Sequence, residues 1–425
     1  MTQTVLPFKL EVTGEEITAH AGLVLFGEFL DGVRLNVVVD REMPRPGSGA
    51  GYRASAFVEP LVLMLNGGGR SLEDLRVIYS DRGLRKLLGI ESTPSTDAAG
   101  GWLRRMGAGD GLCGLGRVNR EVLRRALKRD DCSLYTLDID ATQVVAEKRE
   151  AKVTYKGERG YMPMVGHLAE NGMVVFDEFR EGNDSPGSRN LEFIRQCAAR
   201  MPAGKSIGFL RSDSAAYQAE VFNWCEENGI KFAIGGDLDD AVKSLIRAIP
   251  EREWRPYQDG HIAETVHCMN RTEKAFHLVV IRRPVQEGLF GEEDERKRYK
   301  VIASNREEST EDTVAWYNHR GEASENRIKE LKIGFGMERM PCGDFCANAV
   351  FFRIGVLAYN LYRFFQAVCL PEGWGRHQVQ TVRWRLYGLA GKVVRHARKL
   401  VLKVQRGGYG LMRAIRERCY AFCYG

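Results

Sequence analysis

The sequence predicts an α/β protein: a mixed sheet flanked by helices, interrupted by an all-β insertion, with a helical N-terminal region and a basic helical C-terminal tail. Three observations predict it. Apolar residues recur at helical spacing through residues 1–131, the pattern then switches to the alternation of strands, and positive charge gathers at the far end of the chain. A content of 44% hydrophobic and 28% charged residues excludes a largely disordered chain, and 425 residues suffice for two or three domains.

Residues 1–131 read as helical. Gly22–Leu35 and Arg53–Asn66 carry helix-period apolar positions on either side of a glycine-rich loop, RPGSGAG, and SLED at 71–74 is a capping-box start. TPSTDAAGGWLRRM (93–106) includes the basic pair Arg104 and Arg105, and it fits either a helix-turn-helix reader of DNA or bundle packing. From 132 to 236 the order is three strands, helix, strand, helix, strand. SLYTLDIDATQV opens the antiparallel set, and KSIGFLRSD and IKFAIGG supply the later strands. Residues 237–305 read as the all-β insertion, built from HIAETVHCMN, AFHLVVIRRP and YKVIASN with the charged loop GEEDERKR.

Helix returns in the segment 306–370, entered at Ser309 with Asp312 three residues on as a capping-box partner. The most apolar stretch, FCANAVFFRIGVLAYNLYRFFQAVCL, contains Arg353, Arg363 and two asparagines, so a buried core helix is expected and no membrane partner. The N-terminus shows no secretory signal, and ten cysteines without disulfide or zinc spacing fit reduced thiols in a cytoplasm. The final segment, 371–425, is basic. From Arg376 onward there are twelve Lys or Arg and one acid, Glu417, giving +11 in a chain whose net charge is +6. With a second basic run, RVNREVLRRALKR at 117–129, this points to a nucleic-acid partner.

Acids mark the candidate site. Asp138 and Asp140 project from one face of the first strand of the set, and Asp213 ends a later strand. Glu325 lies in YNHRGEASENRIKELK (317–332). Singly, each fits a strand-end cap or a solvated helix face. Jointly, three oxygen ligands suit Mg²⁺ or Mn²⁺, which in pairs about 3.5–4 Å apart support phosphodiester displacement.

These motifs resemble bacterial insertion-sequence transposases of the DDE class, with a ribonuclease-H-like fold. The similarity is to the group with a Tyr-Arg-Glu-Lys signature and a β insertion, and it runs from LDIDAT through LRSDSAAY to the 317–332 stretch. The resemblance implies Asp140 (with Asp138 as neighbour or stand-in), Asp213 and Glu325 as catalytic metal ligands. It implies Tyr317, Arg320 and Lys332 as DNA contacts, two Mg²⁺ or Mn²⁺ ions, and cleavage and joining of double-stranded DNA at terminal inverted repeats. A homodimer on DNA is expected, since two ends must be joined. The signature departs from the group's pattern in having four residues rather than three between Arg320 and Glu325. The six residues between Glu325 and Lys332 are kept, which selects Glu325 over the alternative Glu322. Arg104, Arg105, Arg383, Arg385, Arg395 and Arg398 are the further DNA-contact candidates. Another ribonuclease-H-like nuclease, such as a resolvase or exonuclease, and a non-catalytic DNA-binding derivative are the competing readings.

Overall fold

The strand-period segments assemble mainly into one sheet. The computed structural model describes residues 8–47, 49, 51–284, 298–321 and 325–424. Its strands, in chain order, are β1 (Ile17–Thr18), β2 (Leu134–Ala141), β3 (Val144–Val145), β4 (Lys152–Val153), β5 (Arg159–Tyr161), β6 (Met164–Leu168), β7 (Val174–Glu178), β8 (Ser206–Ser212), β9 (Lys231–Gly235), β10 (Arg255–Tyr257), β11 (Gly260–His267), β12 (Phe276–Arg282), β13 (Tyr299–Ser304), β14 (Gly391–His396) and β15 (Lys399–Val404). Among the described residues, nine of them form a sheet in the order β10-β11-β12-β13-β9-β8-β2-β6-β7.

At its centre β2, β8 and β9 run parallel, while β6 and β7 continue antiparallel from β2. Residues 135–139 of β2 are buried on both faces, as a central strand covered on both sides must be. On one face Phe193 and Ile194 of the helix Asn190–Ala198 share a core with Val221 and Phe222 of the helix Ala219–Glu227 and with Leu137 and Leu210 of the strands. A mixed sheet flanked by helices is therefore present, consistent with the ribonuclease-H-like expectation.

The segment 237–305 differs from a separate β insertion. β13 pairs antiparallel with β9 (Ile302↔Gly235, Ser304↔Ala233), and β12, β11 and β10 follow outward, so these strands lengthen the central sheet. The cause lies in their side chains. Leu278, Val280 and Ala303 join the main core beside Phe232, and Val279, Ile281 and Ile302 pack with Val314 on the opposite face. Residues 285–297, which include most of GEEDERKR, lie outside the described residues.

The apolar helix Phe345–Val368 is long and apolar enough to cross a membrane, yet 83% of that window is buried inside the protein. Its polar residues explain why. Arg353 Nε donates to both oxygens of Asp177 at 3.1 Å, and Arg363 donates to Asn171 O. Asn360 accepts from Val174 N and donates to Asn119 Oδ1, which joins the helix to β7 and to the helix Gly111–Leu127. Phe364 and Phe365 pack against Phe29 and Phe26 of the helix Leu23–Gly32 at 5.4 Å each. The N-terminal helices thus share one core with this helix. Trp102 of the 93–106 segment stacks on Phe57 at 4.9 Å, so this segment packs into the bundle while Arg104 and Arg105 stay exposed.

The C-terminal segment is not uniformly helical. After the short helix Val379–Val382 and a π-helical turn Arg383–Tyr387 comes a hairpin, β14–β15, and then the helix Arg406–Tyr424. β14 pairs with β1, so the two ends of the described chain meet in one small sheet. Arg383 does not belong to a DNA-facing set: it is 9% exposed, and it donates from Nε to Asn66 O (2.7 Å) and from Nη2 to Leu65 O (2.6 Å). Those carbonyls end the helix Ser55–Gly67 and have no later turn to bond, so a buried guanidinium serves them.

Arg383→Met should accordingly lower stability by about 2–3 kcal/mol, because buried acceptors lose a charged donor. Arg395→Gln, at an exposed site, should stay within about 0.5 kcal/mol. Denaturant midpoints of the two variants check the contrast.

Candidate active site

The site is organised from beneath by a buried ion pair. β2 and β8 run parallel in a register that sets Asp138 opposite Arg211. Arg211 Nε and Nη2 donate to the two Asp138 oxygens at 2.7 and 2.8 Å, with the carboxylate 0% exposed. Arg211 Nη1 also donates to Trp316 O at 2.7 Å, and the guanidinium lies 5.0 Å from the Trp316 ring centroid. This fixes the helix Thr310–Arg320 against the strand ends. Both oxygens of Asp138 are committed, so it is not available as a metal ligand in place of Asp140. His167, its partner on β6, is fully buried, and burial pulls its pKa down to about 4, which keeps it neutral beside the pair.

Two residues on, Asp140 faces the same way but reaches the open end of β2, with 22% of its side chain exposed. Arg320 Nη2 lies 3.6 Å from its Oδ1. The Asp140 carboxyl is pushed up to about 6, first by burial and then by the charges of Asp213 and Glu325, with Arg320 opposing. The three acids therefore act on one electrostatic site. Asp213 ends β8 and its Oδ1 accepts from Ala215 N at 3.1 Å, capping the turn Ser214–Ala216.

The signature cations and the tyrosine surround these acids. Arg320 donates to the Tyr317 hydroxyl, and burial raises that phenol's pKa, with the Asp213 and Asp140 charges adding to it. A Cβ on Gly235 would sit 3.0 Å from both Tyr317 Oη and Ser214 N, so glycine favours the close approach of helix and strand end there. Lys332 Nζ donates to Gln143 O at 2.7 Å, just past β2. Burial lowers its pKa, and Glu338 and Asp140 oppose that. The Arg320 Nε is buried and without a hydrogen-bond partner among the described residues.

Glu325 is exposed, and it has π-helical backbone, as does Gly321. Glu322 lies outside the described residues. Glu330, from the same stretch, is structural: it is buried and its Oε1 accepts from Val379 N at 2.7 Å. Among the described residues, no three His, Cys, Asp or Glu side chains stand close enough to enclose a metal ion. The donor chemistry still fits a hard cation, because carboxylate oxygens gather at the mouth of β2, where the charges of Asp213 and Glu325 help raise the Asp140 pKa.

The remaining DNA-contact candidates are dispersed. Arg104 and Arg105 are exposed on the helix Thr96–Ala108, and Arg104 lines a cleft of about 560 Å³ with Arg70, Lys148 and Arg339. Arg385 is exposed beside Trp374 and His377. Arg395 and Arg398 are exposed near the hairpin turn. A second cleft, of about 770 Å³, adjoins the acids and is lined by Ser214, Asp237, Arg283, Lys300 and Tyr317. The sequence reading passed over Asp237, whose carboxyl is raised by burial while a Ser214 hydrogen bond opposes, with Asp239 and Asp213 adding to the rise. Its position, two residues past the end of β9, is the same strand-end signal that selected Asp213.

Carboxylates thus stand at the open ends of neighbouring strands, beside the helix that bears Tyr317 and Arg320. In sequence, residues 4–408 match the family described as transposase DDE domain group 1, and the chain belongs to that family. No curated protein matches the sequence. Among solved structures, the cryo-EM structure of the piggyBac transposase synaptic complex with hairpin DNA is similar over 97% of this chain and 84% of its own. The identity is 10% and the TM-score 0.47.

The two neighbouring aspartates should behave oppositely on substitution. Asp138→Asn should cost about 3–5 kcal/mol, because it leaves Arg211 buried and unpaired. For Asp140 the folded pKa of about 6 lies above the ordinary 3.8, so its contribution is present at low pH and lost as the pH rises through about 6. Asp140→Asn should therefore stabilise the metal-free protein by about 1–3 kcal/mol at pH 8 and leave it unchanged at pH 4. Denaturant titrations at the two pH values decide both.

Proposed function

We propose that this protein is a DNA transposase that cleaves an insertion element at its terminal inverted repeats and joins the freed 3′ ends to target DNA. The observation that carries this is the shared electrostatic site of Asp140, Asp213 and Glu325 in a chain of a DDE transposase family. Asp140, Asp213 and Glu325 are the residues that would hold two Mg²⁺ or Mn²⁺ ions. When bound, such ions supply charge stabilisation to the entering and leaving oxygens of the phosphodiester.

This chain's own side chains have the complementary task of holding the strand. Arg320, with an open Nε, and the Tyr317 hydroxyl donate to the phosphate beside the scissile bond. Lys332, fixed by the Gln143 carbonyl, holds a neighbouring phosphate from the other side of Asp140. The packed helix–strand junction at Gly235 keeps Tyr317 in line with Asp213. Two such sites are needed to join two ends, so the working form on DNA is a homodimer, in a bacterial cytoplasm.

Asn at Asp140 or Asp213, or Gln at Glu325, should abolish metal-dependent nicking of DNA that carries the terminal repeats, while gel-shift affinity persists. Cleavage that survives in Glu325→Gln and fails in Glu322→Gln would reassign the third acid. Activity should appear with Mg²⁺ or Mn²⁺ and not with Ca²⁺, whose looser coordination binds substrate without ordering in-line attack. Nicking that persists after thorough chelation would overturn the two-metal reading, and binding without any nicking would leave a non-catalytic derivative.

A further inference from the structure

We infer that the β14–β15 hairpin is a DNA-reading ribbon that enters the major groove of the duplex at a distance from the catalytic acids. This rests on the reading of the protein as a transposase acting on DNA. The hairpin is anchored at its base and bare at its tip. Val393 is 4% exposed, its N–H donates to Glu16 O at 2.8 Å, and β1 pairs alongside. Lys392 is tied to Glu15. Beyond that point residues 395–400 are all exposed.

The composition of the exposed part is that of a groove reader. There is no acid between Glu372 and Glu417, while Arg395, His396, Arg398, Lys399 and Lys403 crowd the ribbon. None of these has an ion-pair partner among the described residues. Between the cations stand two exposed apolar side chains, Leu400 at 43% and Val401 at 37%. Cations match phosphates and guanine edges, and small apolar groups match thymine methyls, which the major groove displays.

The geometry selects the groove. A two-stranded ribbon fits the undistorted major groove, about 12 Å wide, whereas the minor groove, about 6 Å wide, has to be opened to admit it. The turn keeps the ribbon narrow to its end: His396 pairs with Lys399, and Ala397 and Arg398 lie between them at φ 49° and 63°. Two successive left-handed residues make the tight primed turn that Asn-Gly normally supplies. Ala and Arg carry at such φ values a steric strain that glycine avoids, and both residues are exposed at the tip.

The test uses the full-length protein and a mixed-sequence duplex four helical turns long, with binding read by fluorescence anisotropy across a salt series. Arg395→Gln/Arg398→Gln/Lys399→Gln should weaken binding at least about tenfold at low salt and flatten the slope of log K against log salt by about 2–3, at roughly 0.9 per lost phosphate contact. Ala397→Asn/Arg398→Gly preserves the turn and should flatten the slope by about one with no loss of thermal stability. Methyl green, a major-groove ligand, should compete with the wild-type protein, and distamycin, a minor-groove ligand, should not. If the wild type binds the duplex and the triple variant binds it equally with the same slope, the ribbon assignment falls while the transposase reading stands. No duplex affinity in the wild type would remove both. Competition by distamycin alone overturns the groove, and a triple variant altered in sedimentation but not in DNA affinity makes the ribbon an interface between copies instead.

Discussion

The arrangement of the strand ends that carry Asp140 and Asp213 depends on a single buried cation. Arg211 sits inside the sheet, satisfies both oxygens of Asp138 on the neighbouring parallel strand, and spends its remaining donor on the Trp316 carbonyl. A charge at this depth persists only with full hydrogen bonding, and each of its partners is thereby constrained. The pair locks β2 to β8, which sets Asp140 and Asp213 side by side at their open ends. The third bond locks the helix that bears Tyr317 and Arg320. Arg306, whose guanidinium lies 4.2 Å from the Trp316 ring centroid, braces the same tryptophan next to Arg211. The acids that face solvent are placed by one that does not.

Much of this was legible in the sequence, and the reasons are local ones. Alternation over LYTLDIDA and strand-end acids follow from short-range geometry, so β2, β8 and β9 and their carboxylates could be found residue by residue. The two aspartates of LDIDAT could not be told apart, because what separates them is Arg211, seventy-three positions away. The 237–305 strands were legible as strands but not as neighbours of β9, since edge pairing is a long-range choice made by the fit of Leu278 and Val280 to a shared core. In the tail, net charge obscured structure: GKVVRH and KLVLKV are rich in valine but do not alternate strictly, and the Ala-Arg turn between them lacks the usual hairpin residues. Arg383 reads as one more tail cation until the helix end it serves is in view.

The signature stretch divides its glutamates by position. Glu330 turns inward to the amide of Val379, and Glu325 stays exposed at a π turn. Asp140 and Asp213, in contrast, are carried at the ends of central strands, where Gly235 lets the helix that bears Tyr317 approach closely.

The Phe345–Val368 helix has a consequence for how the protein is made. It is the inner wall against which Phe26, Phe29 and the other N-terminal helices pack, yet it is synthesised about three hundred residues after them. At roughly 5–20 residues per second, those helices leave the ribosome with their apolar faces uncovered for some 15–60 seconds. The strand that closes the small sheet with β1 arrives later still. A newly made chain therefore needs shelter from aggregation until its last quarter emerges. Its N-terminal helices and the β5–β7 side of the sheet share a core with this helix, so a prematurely terminated product lacks the wall against which both pack.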